Sequence, residues 1–574
     1  MSLSGMTQYL LTTKIEMKAK IIKAFAIVAT TGLLAACSSD YLDVTPETLV
    51  SSGTVQTTEE GAQQALNGLC QTMYCPVTDY FSDYLYPNGE PYIATVYGEV
   101  LSQDYFSYLW ASGTGTNYTW AANNFPSGWL VLQGWSYCYN LINQANVILD
   151  GIDTIEGDRD HLDFIKAQAL TVRAHAYIRL LMSYAPRWQD SNNGEKYTVV
   201  LRLHAGTEDV PLSTMNEVLA SIYNDCETAI KLFEDCGLTR TYTWEPNVAV
   251  AQGLFARAAM LKEDWPKAQE MAAKSRKNYP IMTADEYKAG FCKPNREWIW
   301  EAYEDNQFGY AAYGTMYACN GTYPGLWGEG AGCINYDLYR QFPEGDIRSD
   351  LFFTPDKLVG TRVKPAAFWH EKWCDPTSMN LLELNPLMKG QIEAYQNSHY
   401  PTDTSVSWPA PYTNFQTGSN EGVLVGFGAQ YKFWALDNYG TGSWCVMRGA
   451  EMLLNEAEAA YHNGQPAVAI ANLKELNAQR NENYDCNLSG QALLDEIRLQ
   501  RRFELWGEGF SFFDLKRWNL PMVRNVWVAN DVDSNNVPQA YGLKKEADDK
   551  GWKFAVPISE SRYNKLVDRT LVDD

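Results

Sequence analysis

Basic charge is scarce in this chain: 46 Lys and Arg face 69 Asp and Glu across 574 residues, a formal net charge of −23 at pH 7. So acidic a balance excludes nucleic acid as a partner, because displacing phosphate counterions takes a surplus of Lys and Arg. It equally excludes docking on anionic lipid through a basic patch. Histidine is scarcer still, with six residues (His161, His175, His204, His370, His399, His462) and no metal-ligand spacing among them. The nearest approach to H-E-x-x-H is His370-Glu371-Lys372-Trp373-Cys374, which has a cysteine where the second histidine belongs. Each histidine is therefore expected at the surface or at a helix cap. No G-x-S-x-G nucleophile elbow and no phosphate-cradling G-x-x-x-x-G-K-S/T occurs. Asp531-Val532-Asp533-Ser534-Asn535 opens like a calcium loop, but Asn536 stands where glycine is needed and Gly542 where the closing glutamate belongs. No cofactor is expected, and a structural calcium ion there has no further support.

Aromatics, by contrast, are abundant. Hydrophobic residues make up 46% and charged residues 20%, the profile of a globular chain, yet 19 Trp and 36 Tyr exceed the needs of core packing. Tyr and Trp suit surfaces that hold ligands by flat apolar faces with polar tips. The amino terminus has its own character. Lys18, Lys20 and Lys23 precede an apolar run that ends Leu34-Ala35-Ala36-Cys37. The run is a signal peptide, too short and wrongly flanked for a spanning helix, and residues 1–36 are expected to be removed. Met17 is the expected start, since the preceding residues lack signal character. The four residues ending at Cys37 resemble a bacterial lipobox, which implies acylation of the Cys37 thiol; several acyl chains on one residue anchor firmly. Of twelve cysteines, eleven then remain, an odd number. Cys70/Cys75, Cys226/Cys236 and Cys319/Cys333 are close enough in sequence to invite pairing, but mostly buried free thiols are expected.

Along the chain, periodicity at three- and four-residue steps predicts helices over 61–75, 129–152, 164–184 and 215–233. Two helical hairpins follow. One pairs 251–262 with 265–278 across Glu263-Asp264-Trp265-Pro266; the other pairs 446–462 with 467–481 across Asn463-Gly464-Gln465-Pro466. Pair length and small residues at facing positions (Ala450, Ala457, Ala471) match the tetratricopeptide style, although the copies are scattered rather than tandem. Two stretches break the helical pattern. Tyr80 to Phe125 is rich in Tyr, Gly, Ser, Thr and Asn, and from Trp298 to Trp444 glycine, asparagine and aromatics replace helical stripes. Loops of such length are usually functional. The expected architecture is mainly α, a tetratricopeptide-like helical-hairpin scaffold over 60–290 and 445–525 with a large loop-rich, aromatic-rich insertion over 298–444.

The most specific stretch is Ile497 to Trp518. Arg501, Glu504 and Glu508 line one helix face, Gly507 and Gly509 stop the helix, and Phe510, Phe512, Phe513, Asp514 and Lys516-Arg517-Trp518 follow. From the residues alone this is a core helix end whose ion-pair network fixes the following turn. The pattern E-L-x-x-E-G-x-x-x-x-D-L-x-R-W also resembles the C-terminal signature of the SusD/RagB family of outer-membrane lipoproteins. Gln500 stands where Glu is common and Ser511 where Arg is common, departures expected to change the local ion pairing. Trp552 to Ser559, followed by Asn564, resembles the family's closing segment.

The resemblance implies a lipid-anchored protein of the outer membrane, facing the cell exterior across residues 37–574. It would bind an oligosaccharide or polysaccharide and deliver it to a partner TonB-dependent transporter, catalysing nothing itself. The candidate ligand-binding residues are Trp110, Asn117 and Trp120 from the first loop and Tyr317, Tyr323 and Trp327 from the second, with Asp83 and Asp104 as hydroxyl acceptors. Two other classes stay open. A helical glycoside hydrolase needs only two carboxylates at about 5–9.5 Å, which so acidic a chain could supply. A peptide-binding tetratricopeptide-type adaptor would call for a basic groove and regular repeats.

Overall fold

Apolar and small residues at helical spacing close seven long helices in succession, and each packs on the next. A computed structural model describes residues 57–74, 89–107, 120–303, 332–352, 430, 432–433, 442–525 and 542–572. Helix α1 (Glu59–Thr72) leads to a buried helical stretch whose second part, Ile93–Val100, has π spacing. Then come α2 (Trp129–Gly151), α3 (Arg159–Tyr184), α4 (Met215–Cys236), α5 (Val248–Lys262) and α6 (Trp265–Arg276). Helices α7 (Gly449–His462), α8 (Pro466–Asn477) and α9 (Gly490–Glu504) complete the scaffold, followed by the short α10 (Ser511–Arg517). From α2 to α8 every helix contacts its successor, α6 and α7 included. The scattered hairpins are thus contiguous in space.

The hairpin turns follow from their sequences. Glu263 turns the chain at φ +58° and Asp264 caps α6, with Pro266 in its first turn. Gly464 turns it at φ +71° and Pro466 opens α8. Proline is tolerated in a first turn because the amide it lacks has no partner there. Buried ion pairs tie successive layers: Arg173 to Asp225 (2.7 Å) joins α3 to α4, and Arg257 to Glu451 (2.7 Å) joins α5 to α7.

Between α6 and α7 the chain leaves and returns through one gate. Strand β4 (Trp298–Ala302) pairs antiparallel with β6 (Trp444–Arg448), all ten residues buried. The helix expected from Val446 therefore starts later, at Gly449, because Trp444-Cys445-Val446-Met447-Arg448 finds a strand partner that periodicity could not reveal. A second antiparallel pair joins the two irregular stretches: β1 (Tyr105–Ser107) with β5 (Gly332–Ile334), in register Tyr105↔Ile334 and Ser107↔Gly332. Strands β2 (Tyr197–Val200) with β3 (Leu212–Thr214), and β7 (Met522–Arg524) with β8 (Leu543–Lys545), form two further hairpins.

The cysteines whose side chains are described are free thiols, as expected, whereas one expectation about histidine needs correcting. Cys226 and Cys236 are free thiols. They lie ten residues apart on the single helix α4, about 15 Å at 1.5 Å per residue, far outside disulfide reach. His175 is not a surface or capping residue: it is fully buried, its Nε2 2.8 Å from Glu90 and its ring edge-on to Trp300. Cys70, Cys138, Cys292, Cys445 and Cys486 are also free and buried. Cys37, the signal segment and the calcium-like loop lie outside the described residues, as do Cys75, His370 and His399. Among the described residues, no helix is long and apolar enough to cross a membrane.

Candidate functional site

The turn after α9 anchors both irregular stretches, and glycine makes the contact possible. Gly507 and Gly509 have φ of +79° and +92°, a region that residues with a side chain rarely adopt. At Gly509 a Cβ would also lie 2.6 Å from the backbone of Ala94, and at Gly98 it would lie 2.2 Å from the Gly509 carbonyl. Two backbones therefore touch where the π-helical stretch meets the turn. Glu99 completes the joint, its Oε1 accepting from the amides of Gly509 (2.8 Å) and Phe510 (3.1 Å). Burial pushes the Glu99 carboxyl up to about 8, assisted by Asp104.

Around this turn lies a fully buried set of charges. Arg448, the last residue of β6, reaches Glu297 and Glu504 with Nη1 (2.8 Å each) and Glu508 with Nε and Nη2 (2.8 and 2.7 Å). Arg480 grips Glu504 at 2.9 and 3.0 Å. Arg348 holds Asp346 at 2.9 and 2.6 Å and reaches Gln500 at 2.8 Å. Lys432 donates to Glu508 (2.5 Å) and to the carbonyls of Glu504 and Trp506. Burial alone would raise the Glu504 carboxyl, but Arg480, Arg448 and Arg348 together outweigh it and hold it well below the carboxylate range. Four cations thus meet four carboxylates, and Arg348 and Lys432 both belong to the insertion. The expected ion-pair network exists, and it fastens the insertion to the turn. Gln500 fits because Arg348 needs only an acceptor there, its charge being met by Asp346.

The first stretch is fastened to the same motif. Both Asp104 oxygens bind Arg502 (2.8 and 2.6 Å), Ser511 Oγ donates to Oδ2 (3.1 Å), and Trp506 Nε1 donates to the Asp104 carbonyl (2.9 Å). Asp104 is therefore a structural anchor and not the expected hydroxyl acceptor, since both its oxygens are engaged. Trp120 is corrected on similar grounds. It is 2% exposed, donates from Nε1 to the Leu101 carbonyl (2.8 Å), and meets Trp552 and Phe512 edge-on at 4.6 and 5.3 Å. Both ring faces serve the core. Asp83, Trp110, Asn117, Tyr317, Tyr323 and Trp327 lie outside the described residues.

At the gate, sequence reasoning missed a feature. Tyr242 and Trp244 stack at 5.5 Å with planes 9° apart, and Tyr242 is 57% exposed. Their loop rests on β4, through Trp300 Nε1 to the Trp244 carbonyl (3.0 Å) and Arg240 to the Ile299 carbonyl (2.8 Å). Tyr303, just past β4, is 48% exposed. The only sequence signal was an aromatic dyad, T-Y-T-W, in a linker between helices.

Two family profiles match this chain: one described as the SusD family over residues 296–568, and one described as starch-binding, associating with the outer membrane, over residues 40–259. A SusD-like protein of Bacteroides ovatus is 24% identical over 297 residues, which span 51% of this chain and about half (47%) of that protein. A SusD-like carbohydrate-binding protein of Bacteroides vulgatus superposes with TM-score 0.68 at 23% identity, covering 89% of this chain and 97% of its own. A SusD superfamily protein of Bacteroides thetaiotaomicron gives 0.66 at 19% identity, covering 89% and 99%. These two likenesses are of fold.

Proposed function

The chain belongs to the SusD/RagB family, and from that premise we propose that it binds a glycan on its two irregular stretches and passes it to an outer-membrane transporter of the TonB-dependent class. The observation that carries this reading is the β1–β5 pair. The chain leaves β1 at Ser107 and enters β5 at Gly332, which are register partners at one end of the pair. In sequence, Trp110 and Asn117 follow that point and Tyr317, Tyr323 and Trp327 precede it, so the segments that carry the candidates leave from and return to paired strands. The exposed Tyr242–Trp244 stack and Tyr303 add flat faces at the gate. Pyranose rings stack on such faces, while Asn and Asp side chains satisfy hydroxyls; an unpaired buried polar group costs ~1–3 kcal/mol, which supplies selectivity. The protein holds the sugar and leaves it chemically intact. It is anchored by acyl chains on Cys37 at the outer membrane and faces the exterior.

Retardation in affinity gels across a polysaccharide panel tests this. One polysaccharide should retard the protein without release of reducing ends. Trp327→Ala should weaken that binding at least about tenfold with little change in melting temperature. Unchanged affinity would remove Trp327 from the site, and release of reducing ends would replace the binder with a hydrolase.

A further inference from the structure

A cleft of about 340 Å³ opens elsewhere, where the ends of α3, α5 and α7 meet α9, α10 and the turn into α6. Its volume falls in the ~300–1,000 Å³ range of small-molecule sites. Three indoles line it: Trp188, Trp265 stacked on His462 at 4.1 Å with planes 14° apart, and buried Trp518, whose ring has the Arg498 and Arg517 guanidinium groups over it at 5.3 and 5.0 Å. Two basic side chains line it as well, Arg498 and Lys516; neither forms a direct ion pair among the described residues, although Glu458 and Asp495 lie close enough to Arg498 to favour its charge. Arg498 lies 5.3 Å over the Trp518 ring and makes no hydrogen bond to the described protein; its Nε is closed off from solvent. Lys516, 8% exposed, donates only to the carbonyls of Met182 and Ala185, at 2.7 Å each.

Elsewhere several buried cations of this acidic chain bind carboxylates directly, as at Arg173, Arg257, Arg448 and Arg501. Within the cleft itself Arg517 is matched by Glu458 and Asp514, and Arg187 by Asp190. One lining carboxylate lacks a cation, Glu263, whose Oε2 accepts from Gln189 at 3.0 Å. Arg498 therefore offers a guanidinium with unused donors beside aromatic side chains.

We propose that this cleft is a second binding site, for a mono- or disaccharide that carries a carboxylate. The planar Arg498 fork matches a carboxylate with two parallel hydrogen bonds, and the indole faces take the apolar faces of the ring. A neutral sugar would leave the guanidinium unanswered. Lys516 adds a signature: burial, with Lys553 nearby, pushes its pKa down to about 7. An anion bound beside it draws a proton onto the amine, so binding near pH 8 takes up protons. The elements that build this cleft differ from those of the glycan site above, so either can fail alone.

Isothermal titration of the purified full chain with D-glucuronate, D-galacturonate, D-glucose and the dipeptide Gly-Phe, in two buffers of different ionisation enthalpy at pH 8, tests the assignment. One of the acidic sugars should bind at least about tenfold tighter than glucose, with proton uptake. Arg498→Gln and Trp188→Ala should each weaken it about tenfold or more, while polysaccharide retardation is unchanged. Acidic sugars that bind no better than glucose overturn the proposal. So does affinity that survives both substitutions, and tighter binding of Gly-Phe gives the cleft to peptides instead. Should Arg498→Gln fail to fold, Trp188→Ala alone decides the location.

Discussion

Glu99 carries an unusual load for one side chain: it accepts two backbone amides at the joint between Gly98 and Gly509, while its other oxygen has no partner and no solvent. Its raised pKa sets a direction for stability. Below the ordinary glutamate value of 4.5, folded and unfolded chains both hold the proton. As pH climbs from 4.5 to about 8, the unfolded chain releases a proton that the folded chain keeps, and stability declines across that window. Glu301, pushed up to about 7 by burial, acts in the same sense. Glu458 acts oppositely. Arg517 overcomes its burial and holds it at about 2, so its stabilisation is present above 4.5 and is lost as pH falls towards 2. Glu99→Gln keeps the acceptor and removes the titration. Urea denaturation at pH 5 and pH 8 should show the variant gaining on wild type between those values, on the order of 2 kcal/mol or more. Parallel curves at the two pH values would mean that Glu99 is ionised in the folded protein.

Among the elements, the insertion owes its attachment to charges that apolar periodicity cannot report. Arg348 is the sharpest test, since it is fully buried and links Asp346 in the insertion to Gln500 and Glu504 on α9. Arg348→Met leaves Asp346 with the backbone amide of residue 348 but without its cation, and breaking a buried pair in this way costs about 3–5 kcal/mol. Proteolysis of the native variant should open first between residues 303 and 443, before any cut in the helices. Removing both partners, Arg348→Met with Asp346→Asn, should cost less than the sum of the single changes. The helices themselves were legible: turns at Glu263–Pro266 and Asn463–Pro466, and the ends of α3 at Tyr184 and α5 at Lys262, agree with spacing and caps alone. What sequence could not give was pairing across distance. The last three residues of β6, Val446 to Arg448, read as the start of a helix because the partner strand β4 lies some 140 residues earlier. Asp104 and Trp120 read as ligand contacts because nothing local announces Arg502 or Trp552.

For the molecule as a whole, the C-terminal motif was recognisable, but its task was only half visible. Glu504 and Glu508 were expected to fix a turn, and in the fold they also fix Lys432, Arg348 and Arg448, so the motif fastens the insertion to the helices. The remaining reach of the proposed function rests on the anchor at Cys37. Palmitate labelling of the expressed chain should yield an acylated form; globomycin should leave the signal segment uncleaved, and Cys37→Ala should abolish the label. An unlabelled wild-type chain would detach the protein from the membrane.

The gate formed by β4 and β6 has a practical corollary. Because the chain departs and returns side by side, and α6 already packs on α7, the backbone between Ala302 and Trp444 joins the helical frame at one place, while β5, Arg348 and Lys432 tie its described parts to the rest. If the proposed site lies there, sequence changes in it would alter ligand contacts and leave the helical frame in place, provided that Arg348, Lys432 and the β1–β5 pair are kept. A transplant of the corresponding region from a relative, with those contacts retained, should fold with an unaltered helical signature in circular dichroism and should carry the donor's sugar preference with it.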